Sequence, residues 1–223
     1  MNNDKVRAAQ MALERIPEKA IVGLGSGSTA TVFIELLAKK AKEEHMELTC
    51  VPTSRQTEEL AASLGLRVVD IDLVDHIDVT VDGADEVDDA LNGIKGGGAA
   101  LLFEKIVAAH SHKNIWVVDS SKKHHQLGHF KLPVEVIKFG SRHIYKYLDR
   151  HGLKPEYRLL SDGHRLSTDS DNYIIDIDIQ GIEDLDGLAN QLKHLTGVVE
   201  HGLFMEICDE LLVGSTGEAF ERK

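Results

Sequence analysis

Hydrophobic residues follow two alternating patterns along the first half of the chain. Short apolar runs, typical of buried strands, alternate with longer segments whose apolar residues return every three or four positions, as in helices. The predicted strands cover 20–24, 48–51, 67–69, 76–81 and 114–118, and the predicted helices cover 4–15, 29–44, 55–64 and 99–110. This alternation predicts crossover units and a parallel sheet, whose ligands bind beyond the carboxyl ends of its strands.

The pattern changes after residue 131. Strand-like runs at 132–139, 156–160, 173–179 and 198–207 surround helical segments at 141–150 and 185–194. This β-α-β-β-α-β order is typical of the ferredoxin-like motif. We therefore predict two domains: a parallel-sheet α/β domain built from 1–130 and 207–223, and a ferredoxin-like domain, 131–206, inserted into it.

Composition and charge narrow the classes of function. The 223 residues are 42% hydrophobic and 28% charged, which is ordinary for a globular protein. The formal net charge of −12 opposes binding to nucleic acid, although a local cluster of amides and one lysine would suffice for a single phosphate. Cys50 and Cys208 lie in apolar runs and are predicted to be buried thiols in a reducing compartment. With no signal-peptide pattern and no apolar run long enough to span a bilayer, we expect a cytoplasmic protein without a membrane partner.

A glycine-rich turn joins the first predicted strand to the second predicted helix. In Gly23–Thr29, which reads GLGSGST, glycines allow successive backbone amides to face one anion, and three hydroxyls can donate further hydrogen bonds. Dinucleotide binding is disfavoured, since the spacing is G-x-G-x-G and Pro52, rather than an acidic residue, follows the second strand. A phosphate site and a tight turn with Thr29 as a helix cap both remain open from this motif alone.

Acidic residues follow the predicted strand 76–81. Asp82 and Asp85 lie three positions apart at its end, where two carboxylates could hold sugar hydroxyls and exchange protons. A calcium loop of the EF-hand type is disfavoured, because Thr80 is a poor third ligand and the flanking helices are missing. A solvated acidic loop remains an alternative.

Lys95 precedes three glycines and a predicted helix. Gly96–Gly98 leave open amides beside a helix N-terminus, with a cation adjacent, and such a group could stabilise an oxyanion on a sugar carbon. Because the lysine precedes the glycines, this is not a Walker A loop. Glu104 falls at the edge of the helix's apolar stripe, so periodicity alone predicts a surface residue. The residues of that stripe, which we predict to be buried, are Ala99, Leu102, Phe103, Ile106 and Val107.

Histidines and a lysine follow the predicted strand 114–118. His124, His125 and His129 are close enough in sequence to suggest a metal cluster, but they lie in a polar stretch without recognised ligand spacing. A hydrated loop is therefore predicted. Lys122 lies at the carboxyl end of the strand, where it could reach a phosphate or be an ordinary surface lysine.

Taken together, these segments resemble the A-type ribose-5-phosphate isomerase family. The matching stretches occur in the family's order and cover nearly the whole chain: GLGSGSTA (23–30), DGADE (82–86), IKGGGAALLFEKI (94–106), DSSK (119–122), LPVEV (132–136), PEYR (155–158) and GVVEHGLF (197–204). Many members have threonine at the position of Ser26, which also provides a hydroxyl. The family's fold, a Rossmann-like parallel-sheet domain with an inserted ferredoxin-like α+β lid, agrees with the predicted α/β class.

The resemblance implies an enzyme of the pentose phosphate pathway that interconverts ribose 5-phosphate and ribulose 5-phosphate, without metal or organic cofactor. It implies that Glu104 is the general base that moves a proton between C2 and C1 through an enediol, which overturns the surface prediction. Asp82 and Asp85 are implied in ring opening and in handling the O1 and O2 protons, and Lys95 in steadying charge on those oxygens. The implied substrate-binding residues are Ser26, Gly27, Ser28, Thr29, Gly83, Ala84, Gly96, Gly97, Gly98 and Lys122. A homodimer is also expected.

Two other functions remain as alternatives. The first is a different sugar-phosphate isomerase, or an amino-sugar-phosphate deaminase, on a similar core. The second is a regulator domain that senses a sugar phosphate. A regulator would need a DNA-binding helix-turn-helix, which the short first helix and the net charge of −12 do not support.

Overall fold

The computed structural model describes residues 3–222, which form helices, strands and two short 3-10 turns at Ile71–Leu73 and Ser120–Lys122. The helices are α1 (Asn3–Leu13), α2 (Ser28–Glu44), α3 (Arg55–Ser63), α4 (Leu101–Ala109), α5 (Ser141–Arg150) and α6 (Leu185–Lys193). The strands are β1 (Lys19–Leu24), β2 (Glu47–Pro52), β3 (Val79–Asp82), β4 (Glu86–Val87), β5 (Gly93–Ile94), β6 (Asn114–Val118), β7 (Leu132–Val136), β8 (Glu156–Tyr157), β9 (Tyr173–Ile177), β10 (Val198–His201), β11 (Leu203–Phe204), β12 (Glu210–Val213) and β13 (Glu218–Glu221).

Six strands form the main sheet, in the order β13-β12-β6-β3-β1-β2. Neighbouring strands are parallel except β12 and β13, which form an antiparallel hairpin at one edge. Strands β3, β6 and β12 are buried along their whole lengths, as expected where helices such as α1 and α2 pack against a parallel sheet. The predicted parallel-sheet α/β architecture is confirmed.

Several elements have boundaries that differ from the sequence prediction, among them three in the first half of the chain. Residues 67–69 make only a single bridge, between Val68 and Cys50, and the run 76–81 becomes regular strand only from Val79. Helix α4 begins at Leu101 rather than at Ala99, because Ala99 has a φ of 61°, in the left-handed region outside the helical range. The glycine loop before α4 is therefore two residues longer than periodicity indicated.

Residues after 131 build a second, four-stranded sheet in the order β10-β7-β9-β8, in which each neighbouring pair is antiparallel. With α5 and α6 connecting the strands, this is the predicted ferredoxin-like arrangement. It has an apolar core of its own, which includes Leu132, Val134, Ile144, Ile175 and Leu188.

The predicted strand 198–207 is wrong, because it is divided at Gly202. The part before Gly202 is β10, while β11 after it pairs with β5 in a third, antiparallel sheet of order β11-β5-β4. A Cβ at position 202 would lie 2.3 Å from the carbonyl oxygen of Lys95, so a glycine permits this close crossing. The third sheet therefore joins the ferredoxin-like segment to the loop that carries Lys95.

The chain returns to the main sheet at β12, as the sequence pattern indicated. The exact limits of the two domains, at 130/131 and 206/207, stay predictions. Across residues 3–222, no helix combines the length and the hydropathy needed to cross a membrane.

Candidate active site

A cavity of about 310 Å³ opens at the carboxyl ends of β1, β3 and β6. Its lining residues come from α1, from the turns after these three strands, and from the glycine loop and first turn of α4; they are Lys5, Ser26, Gly27, Ser28, Thr29, Gly83, Ala84, Asp85, Lys95, Gly96, Gly97, Gly98, Glu104, Val117, Val118, Asp119, Ser121 and Lys122. The structure thus brings together every residue predicted to bind substrate, together with three of the four predicted catalytic residues. The fourth, Asp82, lies behind the cavity wall.

Asp82 is buried, and its carboxylate accepts hydrogen bonds from the protein itself. Oδ1 accepts from the backbone N–H groups of Ser26, at 3.0 Å, and Gly83, at 2.7 Å, while Oδ2 accepts from Lys95 Nζ at 2.8 Å. A Cβ at position 25 would lie 2.1 Å from Oδ1, so Gly25 is required for the turn to come this close. Asp82 therefore holds the glycine-rich turn and the lysine in place.

Lys95 and Glu104 form a buried ion pair at the cavity. Their side chains are only 3% and 6% exposed, and Lys95 Nζ lies 3.5 Å from Glu104 Oε2. The geometry of this contact is that of an ion pair rather than a hydrogen bond, and Glu104 Oε2 accepts no hydrogen bond from any residue in the described range. Oε2 is itself buried, and Glu104 lines the cavity, so its carboxyl group lies beside any molecule bound there.

The protonation of this pair follows from its surroundings. Burial raises the pKa of Glu104 to about 8, Lys95 opposes the rise, and the nearby carboxylate Asp82 adds to it. For Lys95, burial disfavours the charged form, but Asp82 and Glu104 outweigh burial and hold the pKa above its ordinary value. Lys95 is thus a fixed cation, and Glu104 is a carboxyl group that can exchange a proton near neutral pH.

Helix α4 turns Glu104 inward, which corrects the predicted stripe. Leu101, Glu104 and Val107 are buried with Ala108, whereas Ile106 is 39% exposed. The prediction was wrong because it placed only apolar residues on the inner face of α4. Part of that face contacts a polar cavity rather than an apolar core, so a carboxylate occupies an inward position.

Asp85 contacts the glycine loop that precedes α4. Its Oδ2 accepts the N–H of Gly97 at 2.7 Å, and a Cβ at position 97 would lie 2.4 Å from its Oδ1. Asp85 is half-buried and lines the cavity, and no residue between 3 and 222 donates a hydrogen bond to its Oδ1. Unlike Asp82, it has an oxygen that a bound molecule can reach.

The other end of the cavity is suited to an anion. Gly27, with a φ of 92°, turns the chain into α2, so Ser28 and Thr29 lie at the positive end of that helix. Lys5 Nζ donates to Ser28 Oγ over 2.7 Å, and Lys122 reaches the same cavity from the turn after β6. Sequence reasoning missed Lys5, because a lone lysine on an amphipathic helix belongs to no motif.

Ser26 plays a more internal part than the resemblance implies. Its hydroxyl lies 2.8 Å from the hydroxyls of both Thr53 and Ser54. These two residues follow β2, where a dinucleotide-binding protein would have an acidic residue. Its N–H is already donated to Asp82. Within the described chain, the hydrogen-bonding groups of Ser26 are thus directed at the protein, although the residue lines the cavity.

The histidines after β6 lie in a loop, as predicted, and His125 and His129 are exposed, but the loop also has protein partners. The rings of His124 and His129 stack with centroids 4.2 Å apart, and His129 Nδ1 lies 2.9 Å from Glu86 Oε1. The buried Glu86 also accepts backbone N–H groups of residues 128–130, and these bonds lower its pKa against the effect of burial. Glu86 and the histidines therefore fix this loop. Asp78, which a calcium loop would also use, lies just before β3 and accepts the N–H of Ile21, whereas Asp82 is the last residue of β3.

A family model described as ribose 5-phosphate isomerase A (phosphoriboisomerase A) matches residues 49–218. The chain belongs to the ribose 5-phosphate isomerase A family. The ribose-5-phosphate isomerase A of Lactococcus lactis subsp. cremoris is 49% identical over 218 residues, which are 97% of each chain.

Other members of the ribose 5-phosphate isomerase A family extend this comparison. The bifunctional ribokinase/ribose-5-phosphate isomerase A of Fructilactobacillus sanfranciscensis is 49% identical over 214 residues, which are 96% of this chain but 40% of that protein. The structure of a D-ribose-5-phosphate isomerase in complex with phospho-erythronic acid is similar over the whole of both chains, with a TM-score of 0.94 and 38% identity. The similarity therefore includes all three sheets.

Proposed function

We propose that this chain interconverts D-ribose 5-phosphate and D-ribulose 5-phosphate by moving a proton between C2 and C1. The observation that carries the proposal is the buried carboxylate of Glu104, which faces the cavity beside a fixed cation and has an oxygen without a hydrogen-bond donor. The names of the similar proteins support the choice of substrate.

Glu104 acts as the base. A proton on the carbon next to a carbonyl becomes removable when the resulting enediolate is met by a cation and by oriented donors. Lys95 Nζ is the cation, and the backbone N–H groups of Gly96 and Gly98 are the donors next to it along the chain, since the N–H of Gly97 is donated to Asp85. Because the pKa of Glu104 is raised, the carboxylate is basic enough to take the proton from one carbon and acidic enough to return it to the neighbouring carbon.

The two aspartates divide the remaining work. Asp82 has both oxygens engaged by Ser26, Gly83 and Lys95, so its part is to orient the lysine and the turn. Asp85 has an oxygen open to the cavity, and we assign to it the proton exchange with the ring oxygen that opens the sugar. The resemblance left open which aspartate opens the ring, and the hydrogen bonds favour Asp85.

The phosphate is held at the α2 end of the cavity. The N-terminal amides of α2, the hydroxyls of Ser28 and Thr29, and the ammonium groups of Lys5 and Lys122 together provide hydrogen-bond donors and positive charge. These groups are distinct from the Lys95–Glu104 pair. Binding and chemistry are therefore assigned to different groups.

The decisive experiment compares the wild-type chain with Glu104→Gln. Gln keeps the volume of the protonated carboxyl but cannot accept the proton, so kcat should fall by about 10²- to 10⁴-fold while the affinity for ribose 5-phosphate stays close to wild type. Glu35→Gln, an exposed glutamate of α2, is the matched control and should keep full activity. Near-native kcat in Glu104→Gln would contradict the assignment.

A substrate panel separates the alternative functions. Ribose 5-phosphate should be isomerised in preference to hexose and amino-sugar phosphates, and preference for an amino-sugar phosphate with ammonia release would favour a deaminase. In D₂O the product should carry solvent deuterium at the carbon that receives the proton, at least in part. A homodimer in the cytoplasm completes the proposal, and light scattering on the purified chain measures its mass in solution.

A further inference from the structure

Arg158 ends the PEYR stretch and has no part in the chemistry described above. It follows β8 in the ferredoxin-like segment and does not line the cavity. Its guanidinium nevertheless reaches the glycine loop of the main-sheet region. Nη1 donates to the carbonyl oxygen of Gly96 at 2.6 Å and to that of Gly97 at 3.0 Å.

Asp176 on β9 holds this guanidinium in a two-pronged pair. Arg158 Nε donates to Asp176 Oδ2 at 3.0 Å, and Nη2 contacts Oδ1 of the same carboxylate. The two side chains are 15% and 17% exposed, so water screens the pair little. When one edge of a planar guanidinium is hydrogen-bonded to a carboxylate, the directions of its remaining N–H groups are fixed. The ammonium group of a lysine would not be oriented in this way.

The orientation of two peptide groups follows from these contacts. In a trans peptide the C=O and the N–H of the next residue point in opposite directions, and the described chain has no cis peptide bond. The carbonyl of Gly96 points at Arg158, so the N–H of Gly97 points away from it, and this N–H donates to Asp85 Oδ2 at 2.7 Å. The carbonyl of Gly97 also points at Arg158, so the N–H of Gly98 points away from Arg158 as well. Gly98 lines the cavity.

We propose that Arg158 is a positioning residue that orients the Gly97 N–H toward Asp85 and the Gly98 N–H toward the reacting oxygens of the sugar. Asp176 keeps Arg158 in that role. The inference rests on the proposed function, since it concerns how the same cavity stabilises the enediolate. Arg158 touches neither the substrate nor the phosphate end, and it acts through two peptide groups.

The test uses Arg158→Gln, Arg158→Lys and Asp176→Asn in the full chain. Arg165→Gln is the matched control, because Arg165 is an exposed arginine of the same segment that stacks on Tyr157 and makes no hydrogen bond to the loop. Each variant is assayed for kcat and KM with ribose 5-phosphate and for thermal unfolding. Calorimetry measures binding of two probes: inorganic phosphate, which reports the α2 end, and 4-phospho-erythronate, whose carboxylate carries charge where the enediolate would.

The proposal predicts a split between these measurements. Arg158→Gln should lower kcat about 10- to 100-fold with KM changed less than about threefold, since small misplacement of catalytic donors costs this much. It should weaken 4-phospho-erythronate by a similar factor and leave inorganic phosphate unchanged. Arg158→Lys and Asp176→Asn should each be intermediate, and Arg165→Gln should match wild type.

Two results would overturn the inference. One is kcat within twofold of wild type in Arg158→Gln. The other is a loss that affects both probes equally and accompanies a large drop in melting temperature, which would mean that Arg158 only holds the fold together. A wild-type chain that binds both probes but does not isomerise ribose 5-phosphate would instead contradict the proposed function, and the binding measurements would still decide the role of Arg158.

Discussion

Glu104→Gln should stabilise the protein, and increasingly so as the pH rises. In the folded chain the pKa of Glu104 is raised from 4.5 to about 8, chiefly by burial. Below the pKa of Glu104 in the unfolded chain, the folded and unfolded states both carry the protonated carboxyl, and its contribution to stability is fully present. As the pH rises to the pKa of the folded state and through it, this contribution is lost, because the unfolded chain releases the proton first.

The size of the effect follows from that interval. Each pH unit between the unfolded and folded pKa corresponds to about 1.36 kcal/mol, so the interval from 4.5 to about 8 gives at most about 5 kcal/mol. Gln has the shape of the protonated carboxyl and no charge to bury. The free energy of unfolding of Glu104→Gln should therefore equal that of wild type near pH 4.5 and exceed it progressively up to pH 8, while the Lys95–Asp82 pair remains in both.

Urea unfolding at pH 5, 7 and 9 measures this difference. The control Glu35→Gln removes an exposed carboxylate from α2 and should differ little from wild type at each pH. If the gap between Glu104→Gln and wild type were the same at pH 5 and pH 9, or narrowed with pH, burial would not be what raises this pKa, and the reasoning would be refuted. The activity of wild type should show the complementary dependence, with kcat/KM rising with pH towards about 8 as the base loses its proton.

Three further outcomes are expected. Lys122→Ala and Lys5→Ala should each raise KM for ribose 5-phosphate by roughly 10- to 100-fold with little change in kcat, since each variant removes a charged hydrogen-bond donor from the phosphate site. Steady-state assays that show a loss of kcat at unchanged KM would contradict this prediction. Gly25→Ala should destabilise the fold by about 1–3 kcal/mol in urea unfolding, because its Cβ would lie 2.1 Å from Asp82 Oδ1; a neutral effect would show that the turn can move. Treatment with a chelator should leave turnover unchanged, and loss of activity would point to the histidines near Glu86.

The order of helices and strands was predictable because most of them contact one kind of environment, either the apolar core or the solvent. The central strands of the main sheet are buried along most of their length, so 20–24 and 115–118 appear in the sequence as continuous apolar runs. The cavity could also be anticipated, since the strands before Gly25, Gly83 and Asp119 run parallel and end at one edge. Three of the motifs therefore had to meet there.

What could not be predicted depends on contacts between distant segments. Periodicity predicted one strand from 198 to 207, because the close approach of Gly202 to Lys95 does not change the local pattern of apolar and polar residues. It placed Glu104 on the surface, since a helix face that borders a polar cavity does not follow the apolar rule. Lys5 carried no signal at all, and only the packing of α1 beside α2 brings it to Ser28.

The backbone bond between Lys95 and Gly202 also bears on how the protein matures during translation. Lys95 N–H donates to Gly202 O at 2.9 Å, and β6 is flanked by β12, which follows Gly202 in the sequence. A ribosome adds about 5–20 residues per second, so a nascent chain that has emerged only through β6 waits for several seconds before these partners exist. During that interval it already contains Asp85, Lys95 and Glu104, yet the segments that hold Lys95 in register have not been made. We therefore expect catalytic competence to appear only after Gly202 has been made, long after the last catalytic residue, Glu104.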